Sequence, residues 1–478
     1  MKANLLVYDV GSTYTKLTAF LLEKGVLDYV GRSQSPTTIQ DIEIGVQSAR
    51  SSLAEQGCEI SRDAAVFSTS SAAGGLRMVA LGYMPRVTAK AAKEVAMSAG
   101  ARVLEIVSYE DPPEYRLQVL REIKPDIVLL AGGTDGGDQD SMLENARIIV
   151  QSKIKAVIII AGNKEAQGGV AEILKQGGVG YVRVPNVMPT IHELKVKPAR
   201  EAIHEQFIKQ ITLAKGLNKL LDIVSDKKVT PTPGAVLLGA ELLAKGTFEQ
   251  DGVGEVLVID IGGATTDIHS VLPDLDKLTI EEKGLVITNE KQPSYRTVEG
   301  NLGLRISATG IVETVGPQGV LAKIGKKGEE LQERLTEYTA FLEKNPEHIS
   351  QSEEEKEFDL ALAIAAIEVA LKRHAGYISQ EFNPVMGIIP GTPIGRDLRR
   401  VRHVIAVGGI FTHRTPAEKL YVLEQAFANP GISLLPDEPH FIVDEQYLLY
   451  AIGVLGQKYS DACLDFARRQ FNIEKKGD

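Results

Sequence analysis

Cysteine is almost missing: the 478 residues hold two, Cys58 and Cys463, far apart and without metal-ligand neighbours. That excludes a disulfide framework or a cysteine-based zinc site, and leaves buried thiols in a reducing compartment as the expectation. Long apolar runs are lacking as well. No uninterrupted stretch reaches the roughly 20 residues that a bilayer crossing requires. The N-terminal run Leu5-Leu6-Val7-Tyr8 meets Asp9 at once, which is not the pattern of a signal peptide. A cytoplasmic protein with no membrane association is therefore expected. A basic excess is lacking too, since 53 Lys and Arg face 63 Asp and Glu for a net charge of -10. This speaks against general nucleic-acid binding, which needs basic surface, while a local basic pocket for a nucleotide stays compatible. The eight histidines show no HExxH or similar spacing, and no GxSxG elbow occurs, so neither a zinc site nor a hydrolase triad is expected.

What is present is ordinary for a globular protein: 44% hydrophobic and 24% charged residues, on a chain long enough for two or more domains. Leu5–Tyr8, the turn-rich Asp9–Thr13 and Leu17–Leu22 read as strand, tight turn and returning strand. Val66-Phe67 enters a loop of small residues, Ser68–Gly75. Between about Lys90 and Pro185 the apolar runs Val103–Val107, Ile127–Ala131, Val157–Ala161 and Val179–Val184 alternate with helical patterns such as Pro113–Ile123 and Ser141–Val150. Alternating buried strands and helices imply parallel βαβ units, and hence a separate α/β module. Further on, helices are expected over Ala235–Ala244, Glu329–Lys344, Phe358–Arg373 and Tyr447–Gln457, with Glu353-Glu354-Glu355 as a solvated surface link. Val404–Val407 reads as a strand ending at Gly408-Gly409.

One internal repeat stands out. Leu6-Val7-Tyr8-Asp9-Val10-Gly11-Ser12-Thr13-Tyr14-Thr15-Lys16 aligns with Leu257-Val258-Ile259-Asp260-Ile261-Gly262-Gly263-Ala264-Thr265-Thr266-Asp267. Two halves of like topology are implied, not a solenoid. In the second copy a strand ends at Asp260, and Gly262-Gly263 lets the backbone turn closely around a ligand. Successive N–H groups in such a turn make an anion cradle, to which the hydroxyls of Thr265 and Thr266 would add donors. Asp260 beside that cradle suits a hydrated Mg²⁺ or an oriented water. The first copy repeats the arrangement with Asp9, Gly11, Ser12 and Thr13. Lys16 is either a phosphate contact or a solvated strand residue, and its counterpart in the repeat is Asp267. Gly408-Gly409 is either a close approach to a ligand or an ordinary strand-to-loop turn. The cluster Gly132-Gly133-Thr134-Asp135-Gly136-Gly137 lacks the Lys-Ser/Thr pair of a P-loop and reads as a tight turn, with a second ligand loop as the alternative.

These residues carry a resemblance. Asp9–Thr13 resembles the first phosphate motif of actin and the heat-shock chaperones, Asp260–Asp267 resembles the second, and Val404–Ile410 looks like their adenosine motif. Thr232–Leu243 and Tyr447–Gly456 fit the two connecting helices. The implied fold is α/β: an actin-like ATPase, ribonuclease H-like, two-domain fold with a nucleotide cleft, plus an additional α/β module. The boundaries implied are 1–89 for the first half of domain I, 90–185 for the inserted module, 186–250 for the rest of domain I, 251–443 for domain II, and 444–478 for the second connecting helix and C-terminus. Over nearly the whole length the chain looks like the MutL/GlmL family, through Asp9–Lys16, Phe67–Arg77, Val128–Gly137 and Asp260–Asp267. The resemblance implies Asp9 and Asp260 as catalytic and Mg²⁺-serving carboxylates. It also implies ATP held by Gly11, Ser12, Thr13, Lys16, Gly262, Gly263, Ala264, Thr265, Thr266, Gly408, Gly409 and Ile410. It implies an ATP-driven accessory or reactivating protein whose partners are subunits of an adenosylcobalamin-dependent mutase such as glutamate mutase or an aminomutase. A small-molecule kinase of the same fold and a non-hydrolysing nucleotide-binding regulator are the alternatives. Direct cobalamin binding is not expected, because an Asp-x-His-x-x-Gly signature is not evident.

Overall fold

The protein is described here by a computed structural model. It describes residues 2–11, 14–37, 42–70, 76–83, 91, 95, 101–190, 194–212, 221–273, 293–383, 387–412 and 414–473. The chain divides into two compact units, one of Met1–Phe20 with Val30–Gly234 and one of Leu21–Tyr29 with Ala235–Asp478.

The first unit is organised on β1 (Lys2–Val10), β2 (Tyr14–Glu23), β3 (Val26–Pro36), β4 (Glu59–Ser70) and β10 (Val229–Pro231). Their order in the sheet is β10-β4-β1-β2-β3, with β1 antiparallel to β2 and parallel to β4. Almost every residue of β1 is buried, as its unbroken apolar run requires of a central strand covered on both faces. The second unit repeats the design with β11 (Val256–Ile261), β12 (Thr266–Val271), β13 (Ser294–Glu299), β16 (His403–Val407) and β17 (His440–Val443). Its order is β13-β12-β11-β16-β17, the same plan read from the other edge. Here too β11 is antiparallel to β12, and β12 to β13, while β11 with β16 and β16 with β17 are parallel. Two copies of this five-strand plan are the duplicated ribonuclease H-like core of an actin-like α/β fold.

A third sheet lies within the first unit: β5 (Leu76–Gly82), β6 (Ala101–Ser108), β7 (Ile127–Leu130), β8 (Val157–Ile160) and β9 (Tyr181–Arg183), all parallel in the order β6-β5-β7-β8-β9. Read by position this is 2-1-3-4-5, a doubly wound sheet. Its first strand lies upstream of the 90–185 span expected for the module. Between the strands run α1 (Ile42–Glu55), before the module, and α2 (Pro113–Ile123), α3 (Asp140–Ser152) and α4 (Gln167–Gln176) within it, followed by α5 (Lys197–Thr212).

Helix α6 (Thr232–Lys245) begins in the first unit and continues in the second. The second unit then adds α7 (Ala308–Val315), α8 (Pro317–Ala322), α9 (Glu329–Lys344), α10 (Glu353–His374), the ribbon β14 (Tyr377–Asn383) with β15 (Gly387–Ile394), α11 (Gly409–Thr412), α12 (Pro416–Phe427), α13 (Leu449–Gly456) and α14 (Ser460–Phe471). Helix α10 is buried on nearly all sides by its Ala, Ile and Leu residues and forms the centre of the second core. It also corrects a sequence expectation. Glu353-Glu354-Glu355 is not a surface link but the first helical turn, with Ser352 and Glu355 closing a capping box. Three carboxylates there face the positive end of the helix dipole. Ser68–Ser70 likewise belongs to β4 and not to a loop. Among the described residues no helix is long and apolar enough to cross a membrane.

Candidate functional site

The two repeat copies form the same hairpin in the same register. In the first, Asp9 pairs with Lys16 and Val10 with Thr15, and the Gly11 amide donates to the Tyr14 carbonyl at 3.0 Å. In the second, Asp260 pairs with Asp267 and Ile261 with Thr266, and the Gly262 amide donates to the Thr265 carbonyl at 2.8 Å. Both aspartates stand at the carboxyl end of the central strand of their sheet, where open α/β sheets hold ligands.

Asp9 is 3% exposed, so its carboxylate must be compensated. Oδ1 accepts from Thr69 Oγ1 at 2.9 Å and from Thr232 Oγ1 at 2.6 Å. Lys16 Nζ lies 3.4 Å from Oδ2. Three strand ends thus converge on one carboxylate: β1, β4 and the start of α6 just after β10. Lys16 is a partner of Asp9 rather than a merely solvated strand residue. Ser12 and Thr13 lie outside the described residues.

In the second unit the loop Gly262–Thr265 is strapped down through its carbonyls. Leu304 N donates to Gly262 O at 3.0 Å, Arg305 N and Ile306 N to Gly263 O at 2.8 and 2.7 Å, and Ser307 Oγ to Ala264 O at 2.9 Å. In a planar trans peptide the carbonyl and the following amide point in opposite directions. The amides of Gly263, Ala264 and Thr265 therefore point away from residues 302–307. Gly303 makes the close approach possible, because a Cβ there would overlap the Ala264 backbone.

The threonine hydroxyls differ from expectation. Thr266 is fully buried and its Oγ1 donates to the Leu302 carbonyl at 2.6 Å, so it holds the loop and offers nothing to a phosphate. Thr265 Oγ1 donates to Asp267 Oδ2 at 2.9 Å, which leaves it lone pairs rather than a proton to present. Asp267 in turn is gripped by Arg296, with Nε at 2.8 Å and Nη2 at 2.6 Å from Oδ1. The chain Arg296–Asp267–Thr265 thus fixes one side of the loop.

Gly408 and Gly409 follow β16, which runs parallel to β11 with Val407 opposite Asp260. Gly408 has φ +150°, and a Cβ on it would strike the Ile261 carbonyl. Gly409 starts α11 beside the Tyr447 hydroxyl, and Ile410 is buried within α11. Asp260, Gly262–Thr265 and Gly408–Gly409 thus share one edge of one sheet. Asp444, at the end of β17, accepts from Leu448 N at 2.7 Å and Leu449 N at 2.8 Å and so anchors the start of α13.

Thr69, Thr232, Arg296 and the strap Leu302–Ser307 were not singled out by sequence reasoning as site residues. The strap's only mark is Gly303, and the others are common residue types whose partners are remote in sequence. The glycine-rich turn Gly132–Gly137 is filled by its own neighbours. Asn163 donates to the Gly137 and Asp138 carbonyls, both at 3.0 Å, and Asn186 reaches the Gly133 carbonyl at 3.1 Å. Among the described residues no three or more His, Cys, Asp or Glu side chains are grouped to hold a metal.

A family model described as "MutL protein" matches residues 5–471. "Protein MutL" of Clostridium tetanomorphum is 38% identical over 473 residues, covering 97% of this chain and 98% of that protein. Among solved structures, a carbohydrate kinase from Novosphingobium aromaticivorans is 12% identical with a TM-score of 0.29, covering 95% of this chain and 91% of that one. The PilM-PilN type IV pilus biogenesis complex is 12% identical with a TM-score of 0.25, covering 98% of each chain. At these scores the strand orders, not the likenesses, define the fold. With a family match over almost its full length and a relative at this identity, the chain belongs to the MutL protein family.

Proposed function

We propose that this chain is a cytoplasmic ATP-binding and ATP-hydrolysing accessory protein that reactivates an adenosylcobalamin-dependent mutase, glutamate mutase or an aminomutase. The observation that carries the nucleotide part is the pair of hairpins in identical register, ending at Asp9 and Asp260, with three amides of the second clear of their strap. Family membership supports the accessory part.

In this reading Ser12, Thr13 and Lys16 from one copy and the amides of Gly263, Ala264 and Thr265 from the other hold phosphate oxygens, while Gly11 and Gly262, whose amides close their own turns, let each backbone pass close to the ligand. Gly408, Gly409 and Ile410 receive the adenosine. Asp9 and Asp260 serve the hydrated metal and orient the attacking water. Mg²⁺, when bound, supplies positive charge to the phosphates. Phosphoryl transfer needs little more than positioning and charge compensation. A γ-phosphate that favours one of two conformations can bias the binding of a partner.

The test is Mg-ATP turnover with and without a mutase inactivated by its own turnover, read together with recovery of mutase activity. Hydrolysis coupled to recovery is expected, and Asp260→Ala should abolish both. Unchanged turnover in Asp260→Ala would sink the site, turnover only with an added hydroxyl acceptor would indicate a kinase, and binding without turnover a regulator.

A further inference from the structure

The turn that follows α6 has a feature neither nucleotide motif uses. Phe248 is 100% exposed, although a phenylalanine ring is among the side chains that gain most from burial. The ring is not on a loose loop. Gly246 and Asp251 form a bridge, and Thr247 N donates to the Gln250 carbonyl at 2.8 Å. Thr247 Oγ1 accepts from Glu249 N at 3.2 Å and Gln250 N at 3.0 Å, and donates to Asp461 Oδ1 at 2.5 Å. From α14, Arg468 donates to Gln250 Oε1 at 2.9 Å and to the Asp251 carbonyl, while Gln250 Nε2 reaches Asp465 Oδ2 at 3.2 Å. A backbone so tied has little conformational freedom left to lose on binding, which is the condition for a tight anchor.

The surroundings say what the anchor fits. Glu249 and Asp251 are exposed on the turn, and Asp461 and Asp465 stand on the bracing helix. Among the described residues two neighbouring cations are engaged: Arg468 is buried against the turn, and Lys245 pairs with Glu241 at 2.8 Å. An apolar tip inside an acidic collar complements an apolar pocket with a Lys and Arg rim, and the same collar is repelled by an anionic bilayer.

We propose that the Phe248 turn is the anchor by which this chain grips a protein partner, with Phe248 entering an apolar pocket rimmed by basic side chains. Resting on the accessory reading above, that partner is the mutase. Binding of purified glutamate mutase is measured by calorimetry for the wild type, Phe248→Ala, Phe248→Leu and Glu249→Lys, with and without Mg-ATP. Phe248→Ala should bind roughly tenfold to hundredfold more weakly, the worth of one buried aromatic. Its melting temperature and nucleotide binding should not change, because the ring touches no core. Phe248→Leu should recover most of the affinity, and Glu249→Lys should slow association at low salt. A complex that tolerates Phe248→Ala overturns the anchor and leaves the accessory reading standing. No complex with the wild type in either nucleotide state overturns that reading and the anchor with it. Flotation of the wild type with phosphatidylserine vesicles, lost in Phe248→Ala, overturns the protein pocket in favour of lipid.

Discussion

Asp9 and Asp260 occupy equivalent places, yet the residues facing them carry opposite charge, and side-chain partners explain why both are tolerated. Lys16 compensates the buried Asp9 directly, whereas Asp267, opposite Asp260, is held by Arg296 and the Thr265 hydroxyl. The repeat made the aspartates legible in the sequence; it could not reveal Arg296, whose role depends on strand β13 arriving beside β12. Gly408 offers a sharp test at this scale. Its φ of +150° and the Ile261 carbonyl in the way mean that Gly408→Ala must distort the corner beside Asp260. We expect a loss of about 1–3 kcal/mol in urea unfolding, accompanied by weaker ATP binding. Wild-type stability with wild-type affinity would show that the corner relaxes freely.

At the scale of elements, α6 and α13 pack through glycine. A Cβ on Gly453 would overlap the Ala235 carbonyl, and one on Gly239 would overlap the Leu449 carbonyl, so the two backbones touch. A Cβ on Gly456 would meet only the end of the Leu242 side chain, which can move aside. Gly453→Ala is therefore expected to cost about 1–3 kcal/mol and Gly456→Ala distinctly less, as compared by thermal melts. Equal effects would mean the helices separate easily. Both helices were legible from their small and apolar residues, but the closeness of their contact was not. The start of α10 was misread for a physical reason: a run of glutamates looks solvated, and it is, yet it sits on the first turn of a helix whose cap, Ser352 with Glu355, was readable in the sequence.

For the whole molecule, acid tolerance is set by buried histidines. Burial, and then the charge of Arg296, pushes His269 down to about 3. Burial, then Arg396 and His269, holds His374 well below the usual range while Ser270 Oγ and Thr297 Oγ1 occupy its ring nitrogens at 2.7 and 2.8 Å. Both stay neutral when folded, and the unfolded chain takes up their protons below about pH 6.5. Their stabilising effect is therefore complete above that pH and lost as pH falls toward the depressed folded values. Between pH 7 and 5 His269 should cost roughly 2 kcal/mol, and His374 should act in the same direction, before most carboxylates titrate. The check is the urea midpoint at both pH values, in the wild type and in His269→Gln, whose dependence should be shallower; an equal loss in both would refute it.

By itself the sequence determined the class of fold, the duplicated hairpin, the two aspartates and the run of strands and helices in the inserted module. Each of these is local: an apolar period, a glycine where a strand must turn, an aspartate six residues before a threonine. Only the tertiary structure decided that the module's sheet opens at Leu76, that Thr69 and Thr232 close on Asp9, and that Thr266 faces inward while the amides of Gly263–Thr265 face out. Those outcomes join residues tens to hundreds of positions apart, and a contact between remote strands leaves no mark in the composition of either one.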